Sequence, residues 1–176
     1  MDRLDIERCT SGMTTNLTTV GIAVTGLSSA VVGGIFYAFS TFVMRGLDRT
    51  DPADAITAMR GINAEAQANA PFLVLFVGSA LLSIAVGVLA AVRISQPGSG
   101  YLLAGAIFGV VAMVVTVAFN VPLNDRLAAV DPAGLSAADA ALQWQAYLSP
   151  WTAWNHVRAA SGVIAAGLLL AGLHYR

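Results

Sequence analysis

Three long stretches, Leu17–Met44, Pro71–Val92 and Tyr101–Phe119, contain no Asp, Glu, Lys, Arg or His, and this constrains the fold more than any other feature. A fourth stretch, from Pro150 to about Leu173, becomes apolar from Val157 onward with Arg158 as its one charge. About 20 apolar residues at ~1.5 Å rise each cross the hydrocarbon core of a bilayer as a helix. Composition agrees: the chain is 57% hydrophobic and 11% charged, against roughly 25% charged for soluble domains. The expected class is therefore an all-α integral membrane protein, a four-transmembrane-helix bundle. A net charge of -1 without a basic cluster argues against nucleic-acid binding. Cys9 is the only cysteine, which removes intrachain disulfides and argues against a thiolate metal site.

Residues 1–16 read as a polar N-terminal tail, with Met13 a second candidate start, and 17–176 as a single four-span membrane domain. In the first span Gly26, Ala30 and Gly34 recur every four residues, a stripe expected to pack closely against a neighbour. The first loop should carry a helix capped by Asp51 with Pro52 at its first position, its apolar face Ile56, Met59, Ile62 and Ala66. Gln96-Pro97-Gly98-Ser99-Gly100 is a tight turn that makes spans two and three an antiparallel hairpin. Pro122 should kink or end the third span, because it cannot donate to the Ala118 carbonyl. A second extramembrane helix is expected in the third loop, Asp131–Ser149, starting near the capping-box-like Ser136 to Asp139. Ser149-Pro150 then reads as the start of the fourth helix.

With four spans both termini share one side. Arginines divide almost evenly between the faces: Arg3, Arg8, Arg93 and Arg176 against Arg45, Arg49, Arg60, Arg126 and Arg158. The acid-free turn at Arg93 and the acid-free tail favour cytoplasmic termini.

Polar chemistry gathers at one level. Trp151, Asn155, Arg158 and Gly162 share a helix face, and His156 sits about 100° round from Asn155 on the stripe of Thr152. Span parity puts the ends of spans one and three on the same side as the start of span four, so Asn120, Asn124, Asn155, His156 and Arg158 should lie at one depth. Each residue also has an ordinary reading: Trp151 and Trp154 as interfacial belt residues, Arg158 as a snorkelling cation, His156 as an interfacial histidine. A metal site would need His156 with Glu65 or Asp125, and no ligand spacing supports one; His174 lies about 27 Å further along the helix at ~1.5 Å per residue. No span carries an ionisable group at its centre, as an ion or proton path would require.

Asn120-x-Pro122-x-Asn124, Trp144-x-x-Tyr147 and Trp151-x-x-Trp154-Asn155-His156-x-Arg158 together resemble the anthrone oxygenase-like membrane family, which has many bacterial members. Phe36-Tyr37-Ala38-Phe39-Ser40, Ile62-Asn63 and Asn69-Ala70-Pro71-Phe72 look like its other blocks. One departure is Arg45, where the family pattern has Pro after the Val-Met pair. The resemblance implies a monooxygenase that converts an anthrone-like phenolic to a quinone with O2 and no cofactor, in a bacterial plasma membrane. Such chemistry needs a base, donors for a developing oxyanion and a dry aromatic pocket. His156 is the candidate base, because an imidazole changes charge in the working pH range. Arg158, Asn155 and Asn120 are candidate oxyanion donors. Trp151, Trp154, Tyr147 and Phe36 are candidates to stack on a planar substrate, with Asn124 as a further contact. The alternative reading is a non-catalytic membrane protein that binds a lipid-soluble ligand or a partner through the same residues. Oligomeric state is left open.

Overall fold

A segment with no water around it must close its backbone hydrogen bonds on itself, and all four apolar stretches are helical in the computed structural model. The structure describes the backbone from Arg3 and side chains from Asn16; the side chains of Cys9 and Met13 lie outside the described residues. α1 (Arg3–Ala38) passes through a π-helical turn (Phe39–Val43) into α2 (Met44–Leu47). α3 (Pro52–Ala68) fills the first loop, and α4 (Ala70–Val92) and α5 (Ser99–Val115) form the hairpin. A second π turn (Thr116–Asn120) leads into α6 (Val121–Ala128), and α7 (Ala137–His174) closes the chain. The stretches long and apolar enough to cross a membrane are Asn16–Leu47, Ala70–Val92, Ser99–Ala128 and Ala137–His174.

α7 packs against α1 and α5, while α4 packs on α5 and α1, completing the four-helix ring. The contact between α1 and α7 is closest at Gly33 and Gly162, where a Cβ on Gly162 would stand 2.7 Å from Gly33 Cα. The packing face of α1 is Ile22, Thr25, Gly26, Ser29, Val32, Gly33 and Phe36. This corrects the expected Gly26–Ala30–Gly34 stripe: Ala30 and Gly34 are exposed, and a Cβ on Gly34 would meet nothing within 4 Å. Alternating three- and four-residue steps keep a near-parallel partner in register, whereas a strict four-residue repeat drifts around the helix.

The turns follow local sequence. Asp51 accepts from Ala53 N at 2.9 Å and starts α3; Ser136 accepts from Asp139 N at 3.2 Å and starts α7. Gly98, at φ +78, makes the hairpin turn in a conformation that favours glycine. A Cβ on Gly98 would stand 2.5 Å from the Gly172 carbonyl oxygen, so a side chain there has no room.

Two prolines behave differently from the sequence expectation. At Pro122 the third span neither stops nor breaks; the preceding π turn carries the Val121 N–H to the Thr116 carbonyl, resetting the ladder just before the residue without a donor. Pro150 lies inside α7, so the third-loop helix and the fourth span are one rod. An interior proline costs about 3 kcal/mol. Burial on both sides of it keeps the helix continuous: Trp144, Tyr147 and Trp151 join Met44, Ala55, Ile56, Met59, Leu127 and Ala140 in one apolar cluster. That cluster also docks α3, α2 and α6 onto α7, capping one end of the bundle.

Candidate functional site

The two π turns lie at the same level, one on each side of α7, and each presents polar side chains to it. From the first, Ser40 Oγ accepts from Asn155 Nδ2 at 2.8 Å; the same nitrogen donates to Phe36 O at 2.7 Å. From the second, Thr116 Oγ1 accepts from Arg158 Nη1 at 3.3 Å, and Asn120 Nδ2 donates to Trp151 O at 3.2 Å. Within α7 itself Arg158 Nη2 donates to Asn155 Oδ1 at 2.7 Å. A π turn inserts one extra residue into the ladder, so it rotates the side chains that follow and leaves carbonyls open. Here the rotation turns Ser40 and Asn120 inward.

Arg158 is 5% exposed, so it does not snorkel to the surface. Its level is about three helical turns inside the ends of spans one and three. Among the described residues all its partners are neutral: Asn155, Thr116, and the rings of Phe36 and Trp151, whose centroids lie 4.2 and 5.0 Å from the guanidinium carbon. Cation–π contact strengthens when water is excluded, which offsets part of the desolvation cost. Nε of Arg158 and Oδ1 of Asn120, both buried, have no partner among the described residues.

Toward the capped end a second group forms. Asn124 Oδ1 accepts from Tyr147 Oη at 2.9 Å and from Trp151 Nε1 at 2.8 Å. Asn63 Nδ2 donates to Tyr147 Oη at 3.4 Å. Asp48 Oδ1 accepts from Trp144 Nε1 at 2.9 Å and from Gln145 Nε2 at 3.0 Å, tying α7 to the end of span one.

Seven of the nine expected site residues therefore gather: Phe36, Asn120, Asn124, Tyr147, Trp151, Asn155 and Arg158. Two stand elsewhere. Trp154 is half-buried and stacks on Phe119 with ring centroids 3.6 Å apart. His156 is exposed, about 200° round α7 from Arg158, and opens onto an outer groove of about 350 Å³. Ser40, Met44, Arg45, Asp48, Leu148 and Thr152 also line that groove. Ser40 is thus a wall between the groove and the buried network. At the Arg45 corner the helix continues through the π turn into α2, with no proline to break it.

Another groove of about 420 Å³, between α4 and α5, is lined by Ile84, Val88, Ile107, Val110 and other apolar residues, with Ser83 its sole hydroxyl. It offers lipid contact and no acid–base group. Among the described residues no three His, Cys, Asp or Glu side chains lie close enough to share a metal ion.

The structure adds Ser40, Thr116, Asn63 and Asp48 to these networks. Ser40 and Thr116 had a signal in the sequence, a hydroxyl four residues from Phe36 or Asn120 inside an apolar span. Their partners on α7 were not readable without the helix pairing.

A family model described as anthrone oxygenase matches residues 72–168, more than half of the chain and all of the segment from Asn120 to Arg158. Neither a curated protein nor a solved structure matches the chain.

Proposed function

The chain belongs to the anthrone oxygenase family, and from that premise we propose that it oxidises a planar phenolic ketone of the anthrone class to a quinone with O2, at the groove onto which His156 opens. The reaction balances as one ring CH2 plus O2 giving one C=O plus water. A base removes one CH2 proton, and its electron pair spreads into the ring and onto the carbonyl oxygen. The resulting anion reduces O2 and forms the new C–O bond; loss of water from the hydroperoxide completes the quinone. His156 takes the proton. The buried amides and guanidinium behind the groove supply a fixed positive field where negative charge develops.

One observation carries this reading: an imidazole faces an open groove whose inner wall, Ser40, is bonded to the Asn155–Arg158 network. Its volume falls within the roughly 300–1,000 Å³ typical of small-molecule sites. A groove on a bundle of membrane-spanning helices suits a substrate that partitions into lipid.

The test is O2 uptake by detergent-solubilised protein supplied with anthrone. His156→Ala is expected to lower the rate by about 100-fold or more with its thermal unfolding unchanged, since among the described residues no hydrogen bond involves the exposed His156 side chain. Anthrone that binds without O2 uptake would instead make this a ligand-binding membrane protein. An undiminished rate in the variant would remove His156 from the reaction.

A further inference from the structure

Asn155 has an amide with two hydrogens, and both are committed: one to the Phe36 carbonyl at 2.7 Å, one to Ser40 Oγ at 2.8 Å. Its carbonyl is committed to Arg158 at 2.7 Å. An amide so placed has no donor left for a substrate. Ser40 is in the opposite position. Its oxygen accepts from Asn155, so its own hydrogen must point elsewhere, and no described acceptor takes it. Ser40 is 7% exposed, and it lines the groove that His156 faces. Thr152 lines the same groove one turn before His156, and its buried Oγ1 has no partner among the described residues. Ser40 thus keeps a free hydroxyl hydrogen at the groove that His156 faces, set up to meet an oxygen atom that arrives with a ligand.

Resting on the oxygenase reading above, we propose that Ser40 is the hydrogen-bond donor to the substrate oxygen that becomes negative when the ring proton leaves, and that Asn155 and Arg158 position and polarise it. The C–H bond breaks, the proton passes to His156, and the electron pair settles on an oxygen facing Ser40 Oγ–H. Arg158 donates to Asn155 and Asn155 donates to Ser40, so the positive charge acts along a chain in which every bond runs toward the groove. A buried cation without a carboxylate partner is costly in a fold. It serves the reaction when its field is delivered to a transient anion, since among the described residues Arg158 bonds only to the neutral Thr116 and Asn155. The π turn Phe39–Val43 contains Ser40 and sets the direction of its side chain. The substrate class follows: a planar aromatic ketone whose carbonyl oxygen can take the charge, and not a hydrocarbon or an amine.

The experiment titrates the full-length solubilised protein with anthrone under anaerobic conditions, reading the visible absorbance of the anthrone anion as pH rises, and separately measures kcat and KM in air. Ser40→Ala is expected to raise the pH of anion formation by about one unit or more, and to lower kcat roughly 10- to 100-fold with little change in KM. Ser40→Thr, which keeps the hydroxyl, should restore both. If Ser40→Ala does not fold, Ser40→Cys retains the bulk with a weaker donor and should shift the titration in the same direction. An unchanged midpoint and kcat in a folded Ser40 variant would overturn the Ser40 role alone. Native protein that neither forms the anion nor consumes O2 would overturn the oxygenase reading, and this proposal with it.

Discussion

Asn124 shows how much one side chain can hold at this end of the bundle. Its Oδ1 is the shared acceptor for Tyr147 and Trp151, both buried. Truncation to Ala leaves the indole N–H without a partner and the phenol with only Asn63. A buried donor left unpaired costs about 1–3 kcal/mol, so Asn124→Ala is expected to lose roughly 2–3 kcal/mol, read as an earlier unfolding transition by circular dichroism in detergent. Asn124→Asp keeps an acceptor oxygen and should lose less. Equal losses in the two variants would show that the bulk of Asn124, and not its oxygen, matters. Arg158 and Asn155 belong to the same scale, but their partners lie across two helices. Residue type alone marked them as candidates; which atoms they bond depended on the neighbours.

At the scale of elements, the contact between α1 and α7 governs the site, because Asn155 reaches Phe36 and Ser40 only while those rods touch. Gly162 makes that approach possible, with Gly33 N at 2.9 Å and Ser29 O at 3.0 Å from the place a Cβ would occupy. Gly162→Ala is expected to force the helices apart at a cost of about 1–3 kcal/mol, lowering thermal stability and activity together. Gly34→Ala, where nothing lies within 4 Å, should leave both unchanged. If Gly34→Ala were the damaging change, the packing face described for α1 would be wrong. The glycine repeat drew attention to the neighbouring face because a spacing of four is a generic packing signal; choosing between adjacent glycines requires the partner. The same holds for Pro150, whose local signal is that of a helix start. Packing of Trp144, Tyr147 and Trp151 on one cluster overrides that signal.

For the molecule as a whole, the polar machinery is confined to one end, under the cap made by α2, α3 and α6. The opposite end is closed by the Gly98 turn and the stacking of Tyr101 on Tyr175, with centroids 5.3 Å apart. Four spans place both termini on one side, and the acid-free hairpin turn and tail favour the cytoplasmic face, so the capped end is expected to face outward. Fusing alkaline phosphatase or a fluorescent protein after Arg176 decides this: an active phosphatase and a dark fluorescent protein would reverse the orientation.

Membrane character, the number of spans and the α3 helix were all determined by the sequence itself. Each follows from runs, caps and parity, which depend on residues near one another in the chain. Tertiary structure alone decided the rest. It buried Arg158 instead of letting it reach the surface, turned His156 away from Arg158 into a separate groove, and made Ser40 the link between them. Those outcomes depend on which helix faces meet and on two π turns that shift side-chain direction by a fraction of a turn. A pattern of spacings cannot encode a rotation of that size, because the energy difference behind it comes from packing against residues distant in the chain.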